Sequence, residues 1–185
     1  MFTDRRSRQV VFVAHCVLNQ NAKIDRCARY PGAMRELVEY LVESGLGIVQ
    51  MPCPELHCLG LDRQADARVE ATVESEDTRV ALRMRDGATT SVCNRLAEDV
   101  AYQVREYRRN GFAVAGIIGI NGSPTCGAET NWYENREAPG PGVFIRALEE
   151  RLLRDGMLVP IRGVKAADPQ AAVSVATELA PKKEG

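Results

Sequence analysis

The sequence predicts an α/β protein: three layers, α/β/α, on a mainly parallel, Rossmann-like sheet, in a single domain over residues 1–185. Two observations carry this. Short apolar runs rich in β-branched residues recur along the chain, and stretches with helical periodicity separate them. The length, 185 residues, suits one domain with one hydrophobic core. No internal repeat or low-complexity segment interrupts it.

The elements follow in order. QVVFVA at 9–14 is a buried strand. A polar loop covers 19–29. Met34, Leu37, Val38, Leu41 and Val42 then fall on one stripe of a helix that Gly45 ends. GIVQM at 47–51 is the second strand, so the unit is βαβ, parallel and right-handed. Residues 62–87 are polar and show no clear period; they are expected to be an irregular excursion. Val92, Leu96, Val100, Val104 and Tyr107 predict a helix from about residue 91 to Asn110-Gly111. AVAGIIGI at 113–120 is the third strand. A long Gly- and Pro-rich loop is expected over 121–142, a helix over 143–153 and a fourth strand over 157–161. Asp168-Pro169 is an N-cap with proline at the first helical position, opening a last helix. The tail, 181–185, is expected to fray.

Composition excludes some classes. Hydrophobic residues make up 45% and charged residues 26%, and 24 basic residues face 25 acidic ones for a net charge of −1. That balance offers no case for nucleic acid or an anionic membrane. No apolar run reaches the roughly 20 residues of a membrane span. The apolar stretch at 10–14 is too short for a signal-peptide core. The expectation is a cytoplasmic protein, monomer or homodimer, acting on a small molecule.

Six cysteines stand at 16, 27, 53, 58, 93 and 126. In a reducing compartment such residues are metal ligands, nucleophiles or small buried groups, and disulfides are not expected. Cys16, Cys53 and Cys126 follow the first, second and third strands. Parallel sheets bind ligands just beyond the carboxyl ends of their strands, so these three thiols should meet in one crevice. Pro52-Cys53-Pro54-Glu55 and Gly122-Ser123-Pro124-Thr125-Cys126-Gly127 read neither as helix caps nor as packing elements. The second loop offers backbone N–H groups and hydroxyls to an anion or to sulfides. Cys27 lies in a polar loop, Cys58 five residues past Cys53, and Cys93 near a helix start. Soft thiolates suit an iron–sulfur cluster, but a mixed Cys/His zinc site with His15 or His57 stays open at this point.

Three stretches resemble the 2-thiouracil desulfidase (TudS-type) family, most closely its branch of desulfidase-like relatives. They are Ala14-His15-Cys16-Val17-Leu18-Asn19; Val49 through Glu55 with Gly60-Leu61-Asp62-Arg63; and Gly116 through Gly127, ending in GSPTCG. The resemblance implies a [4Fe–4S] cluster on Cys16, Cys53 and Cys126, with one iron left open to the sulfur of a thiocarbonyl substrate. It implies release of hydrosulfide without net redox change. It also implies an acidic residue and a hydroxyl for proton transfer. Glu55 and Ser123 match these, with Thr125 the second candidate for the hydroxyl. Arg63, Asn19 and Thr125 are candidate substrate contacts, and His15 and His57 are supporting residues. Trp132 and Tyr133 either stack on a flat substrate or pack their loop. The chain departs from the thiouracil enzymes after Cys53, where their proline-containing segment is not found, so thiouracil itself does not follow. The alternative is a zinc or Fe–S module that delivers or senses sulfur without desulfidase activity. Cys58 and His57 are then the candidates for a fourth ligand.

Overall fold

The computed structural model describes residues 2–180 apart from 67 and 69. The expected frayed tail, 181–185, lies outside the described residues. Strand β1 (Gln9–Val13) is central. Its Val11, Phe12 and Val13 are fully buried, as a parallel strand covered on both faces requires. It pairs in parallel with β2 (Gly47–Gln50) on one side and β3 (Ala113–Ile120) on the other. β3 pairs in parallel with β6 (Ile161–Val164), giving the order β2-β1-β3-β6. Every carboxyl end therefore points to one edge.

Helices flank this sheet. α2 (Arg35–Glu43) packs on α7 (Pro169–Leu179), and α5 (Gly87–Arg109) packs on α6 (Val143–Arg154). Leu37 and Leu41 of α2 are buried, as are Leu96, Val100 and Val104 of α5 and Phe144, Leu148 and Leu152 of α6. Gly45 takes φ +72° after α2, the left-handed stop that the sequence predicted. Asp168 caps α7 by accepting from the Ala171 N–H at 3.0 Å. Among the described residues no helix is long and apolar enough to cross a membrane.

Four features differ from expectation. The excursion at 62–87 contains a helix, α4 (Val73–Arg83), and the start of α5. Thr72 and Ser75 cap α4 reciprocally, at 3.0 and 3.1 Å. Only Glu76, Val80 and Ala81 of α4 are buried, too few to leave a period in the sequence. The second difference is α3 (Pro54–Leu59), six residues long, with Cys53 as its N-cap and Pro54 at the first helical position. The C-P-E stretch is a helix start after all. Third, the loop at 121–142 carries a hairpin, β4 (Thr130–Tyr133) and β5 (Arg136–Pro139). Glu134 and Asn135 turn it with φ +48° and +61°, the signs of a type I′ turn. Fourth, the last strand starts at Ile161, not at 157. The Pro160 carbonyl accepts the Ile117 N–H at 2.8 Å, but proline has no N–H to return, so the ladder begins one residue on.

Gly142, the N-cap of α6, lies against the loop that follows β3. A Cβ there would stand 2.5 and 2.6 Å from the Thr125 carbonyl atoms and 2.9 Å from the Pro124 oxygen. These are backbone atoms that no rotamer change removes. Gly142→Ala should destabilise the protein by about 1–3 kcal/mol in urea unfolding. Gly32→Ala, whose Cβ meets nothing within 4 Å, should stay within about 0.5 kcal/mol of the parent.

Candidate functional site

The strand ends deliver three thiols to one cleft. After β1, the Ala14 N–H still bonds the Ile118 carbonyl at 2.8 Å, and the chain then coils into α1 (His15–Leu18), which carries Cys16. After β2, the Met51 N–H bonds the Val13 carbonyl at 2.8 Å, and Pro52 leads to Cys53. After β3, residues 121–127 carry Cys126. All three cysteines line a cleft of about 360 Å³, together with Glu55, Ser123, Thr125 and Trp132. The size suits a small molecule.

Hydrogen bonding shapes the loop at 121–127. The Ser123 hydroxyl oxygen accepts the N–H groups of Thr125 and Cys126, at 3.3 and 3.0 Å. The Cys126 carbonyl accepts the Ile120 N–H at 2.8 Å, and the first N–H groups of α6 donate to the carbonyls of Pro124 and Thr125. The thiol-bearing turn is thus held by the end of β3 on one side and by the start of α6 on the other.

A buried polar chain runs behind the thiols. The Thr125 hydroxyl, fully buried, donates to Glu55 Oε1 at 2.6 Å. With its proton so engaged, its 3.3 Å contact with Ser123 makes Ser123 the donor. Glu55 Oε2 accepts from Arg63 Nε at 3.4 Å. The Arg63 side chain is 0% exposed and that of Glu55 12%. The remaining Arg63 donors go to the carbonyls of Gly60 (2.6 Å), Leu61 (2.9 Å) and Ala22 (2.6 Å), and to Cys53 Sγ (3.4 Å). Its five N–H groups are therefore all engaged within the protein, and none is left for a substrate. Asn19 is also occupied locally. Its side-chain oxygen accepts from Asn21 N and Nδ2, both at 3.1 Å, and caps a short 3₁₀ turn at Gln20–Ala22; it does not line the cleft.

Burial dominates the electrostatics of the thiols. It pushes Cys53 up to about 11, with the Glu55 carboxylate adding to the effect and Arg63 opposing it. Cys16 is raised chiefly by burial, and Cys126 well above the ordinary thiol value for the same reason, with its two sister thiols contributing. His15 is lowered, first by burial and then by His57 and Arg63 nearby. Burial thus favours the neutral thiol at all three positions.

Cys27, which the sequence sets apart from the other three thiols, also lines the cleft, and so do charged residues that the sequence did not single out, among them Lys23, Asp77, Glu137 and Lys165. Cys27 is raised to about 11, mainly by burial and next by Asp77. Cys58 and His57 do not line it. His57 places its Nδ1 at 2.8 Å from the Cys53 carbonyl, and Cys58 packs against the core. Trp132 reaches the cleft with its ring tied by Nε1–H to Thr78 Oγ1 at 2.9 Å, whereas Tyr133 lies outside it, under the Arg85 guanidinium at 4.3 Å. Among the described residues no three His, Cys, Asp or Glu side chains are grouped so as to hold a metal ion.

No family model matches the chain. A solved structure described as the [4Fe-4S]-dependent thiouracil desulfidase TudS aligns over 92% of this chain and 99% of its own, with a TM-score of 0.49 and 18% identity. The uncharacterized protein MJ0003 of Methanocaldococcus jannaschii is 33% identical over 121 residues, which cover 65% of this chain and 69% of that protein. At that identity and coverage, the chain belongs to the same family as the uncharacterized protein MJ0003.

Proposed function

We propose that this protein is a [4Fe–4S]-dependent desulfidase that removes sulfur, as hydrosulfide, from a small thiocarbonyl compound. One observation carries the reading. Three thiols, Cys126 buried and Cys16 and Cys53 half-buried, follow three adjacent parallel strands and line a cleft beside a carboxylate held by a buried arginine and a buried hydroxyl. The resemblance of the C-P-E and S-P-T-C-G stretches supports it.

Cys16, Cys53 and Cys126 would hold the cluster. The donor set fits: soft sulfur ligands, each raised by burial, with Arg63 directed at Cys53 and the Thr125 hydroxyl 3.6 Å from Cys126. Ligands of a single ion must meet within about 2.3 Å of one point, whereas cluster ligands surround a larger body. When bound, a cluster with three protein ligands supplies an open iron, a Lewis acid with affinity for sulfur.

The chain's own groups handle the protons. Glu55 borders the cleft and takes a proton from water as the water oxygen bonds to the thiocarbonyl carbon. The C–S pair leaves with the sulfur, and the carbon keeps the oxygen. Thr125 and Arg63 fix the two carboxylate oxygens, so Glu55 faces the reacting water in one orientation. Ser123 acts one bond further back: it shapes the turn and steadies Thr125.

The test is anaerobic purification with metal analysis and a hydrosulfide assay on thioamides and thiouracils. A brown protein with about four irons and about four sulfides per chain is expected, as is hydrosulfide release. A colourless protein with stoichiometric zinc sinks the proposal. Cys→Ser at 16, 53 or 126 should lose iron. Glu55→Gln should keep iron and lower kcat roughly 10²–10⁴-fold. Arg63→Met leaves three carbonyls and a carboxylate without their donor; it should destabilise the protein by about 3–5 kcal/mol in urea unfolding.

A further inference from the structure

Helix α4 forms one wall of the cleft through Val73 and Asp77. It is tied down on both sides of Asp77. Glu76, the residue before, pairs with Arg79, which also donates to the Arg63 carbonyl. Thr78, the residue after, accepts the Trp132 indole N–H at 2.9 Å. Between these anchored neighbours, Asp77 has no hydrogen-bond partner among the described residues. Nor is any fully buried side-chain oxygen or nitrogen among them left without a partner, so the Asp77 oxygens open onto the cleft. The groups around it are Glu55 on α3, Lys23 after the 3₁₀ turn, Cys27, and Glu76 on its own helix; Arg29 lines the same cleft. Burial raises the Asp77 carboxyl to about 7, with the charges of Glu55 and Glu76 adding and Lys23 opposing.

Three carboxyl groups line the cleft, in different settings. Glu137 is paired with Lys165 at 2.7 Å and accepts from the Thr130 hydroxyl at 2.6 Å. Glu55 accepts hydrogen bonds from an arginine and a threonine; Asp77 has neither. Such a split assigns an acid and a base.

We propose that Asp77 is a second catalytic carboxyl, the general acid that protonates the departing sulfur while Glu55 takes the proton of the attacking water. This rests on the desulfidase reading. Water adds its oxygen to the thiocarbonyl carbon and gives one proton to Glu55. As the C–S bond breaks, its electron pair goes to sulfur, and the Asp77 proton makes that sulfur hydrosulfide. The hydroxyl left on carbon returns its proton to the Asp77 carboxylate and becomes the carbonyl. Glu55 then releases its proton to solvent. The net change is thiocarbonyl plus water to carbonyl, hydrosulfide and one proton, with no oxidant or reductant.

The acid must be protonated to act, so activity is present below its pKa and is lost as pH rises through it. In the loaded protein, kcat/KM should fall on the alkaline side with a midpoint well above the ordinary carboxylate range. Asp77→Asn should retain iron and the parent circular dichroism, lose that alkaline limb, and slow turnover by about 10²-fold or more. A second measurement needs no turnover. In protein labelled with carboxyl-¹³C aspartate, the Asp77 resonance should titrate near 7, and Glu55→Gln should move that midpoint down. An active protein whose Asp77→Asn variant keeps the alkaline limb overturns the acid role alone, as does an Asp77 resonance that titrates in the ordinary carboxylate range. A loaded wild type that releases no hydrosulfide from any thiocarbonyl overturns the desulfidase reading and the acid role with it.

Discussion

The buried guanidinium of Arg63 is the constraint around which the site is built. A charge removed from water is tolerated only when its donors are satisfied and an opposite charge is near. Here the five N–H groups reach a carboxylate, three carbonyls and a thiol sulfur, drawn from the segment after α1, from Cys53 and from both ends of α3. Lysine, with three donors on a point charge, cannot satisfy that set. Arg63 also holds φ +53° and its neighbour Gln64 +55°, a conformation that costs each residue about 1–2 kcal/mol. The turn persists because the arginine is anchored on every side. Its carbonyl in turn receives Arg79, so the same residue that orients Glu55 also sets the position of α4.

The parallel sheet supplies the rest of the geometry, and it was largely legible. β1, β2 and β3 stand out as β-branched runs, and α2, α5, α6 and α7 carry apolar stripes long enough to count. Because parallel strands end on one edge, the positions of Cys16, Cys53 and Cys126 in the chain already implied a common crevice. The hidden parts share a physical cause: each is too short or too polar to leave a pattern. α3 has six residues, α4 buries three side chains, and the hairpin turns on Glu134-Asn135 instead of a glycine pair. The start of β6 depends on a hydrogen bond that Pro160 cannot return, a detail that periodicity does not encode. Arg63 was visible as a residue of interest, but its five partners come from separate segments, and their convergence exists only in three dimensions. Cys27 was set apart from the other thiols and Asp77 was passed over because neither follows a strand. One sits in a turn and the other on the helix that the sequence concealed.

The thiols bear on what kind of chemistry the cleft supports. A cysteine that acts as a nucleophile needs a depressed pKa, supplied by a helix N-terminus, a cation or a paired histidine. Cys53 caps α3 and touches Arg63, yet burial and the Glu55 carboxylate outweigh both, and the thiol stays near 11. Cys27 stands at about the same value, where burial and Asp77 outweigh Lys23 and Arg29. Burial therefore works against thiolate formation at each position, and the proposed cluster would supply the positive charge that offsets it. Burial, with the Glu55 charge adding, raises to about 7 another carboxyl of the same cleft, Asp77, which has no hydrogen-bond partner among the described residues. Burial thus acts twice in this protein: it favours the neutral form of the three cleft thiols, and it favours the protonated form of the Asp77 carboxyl.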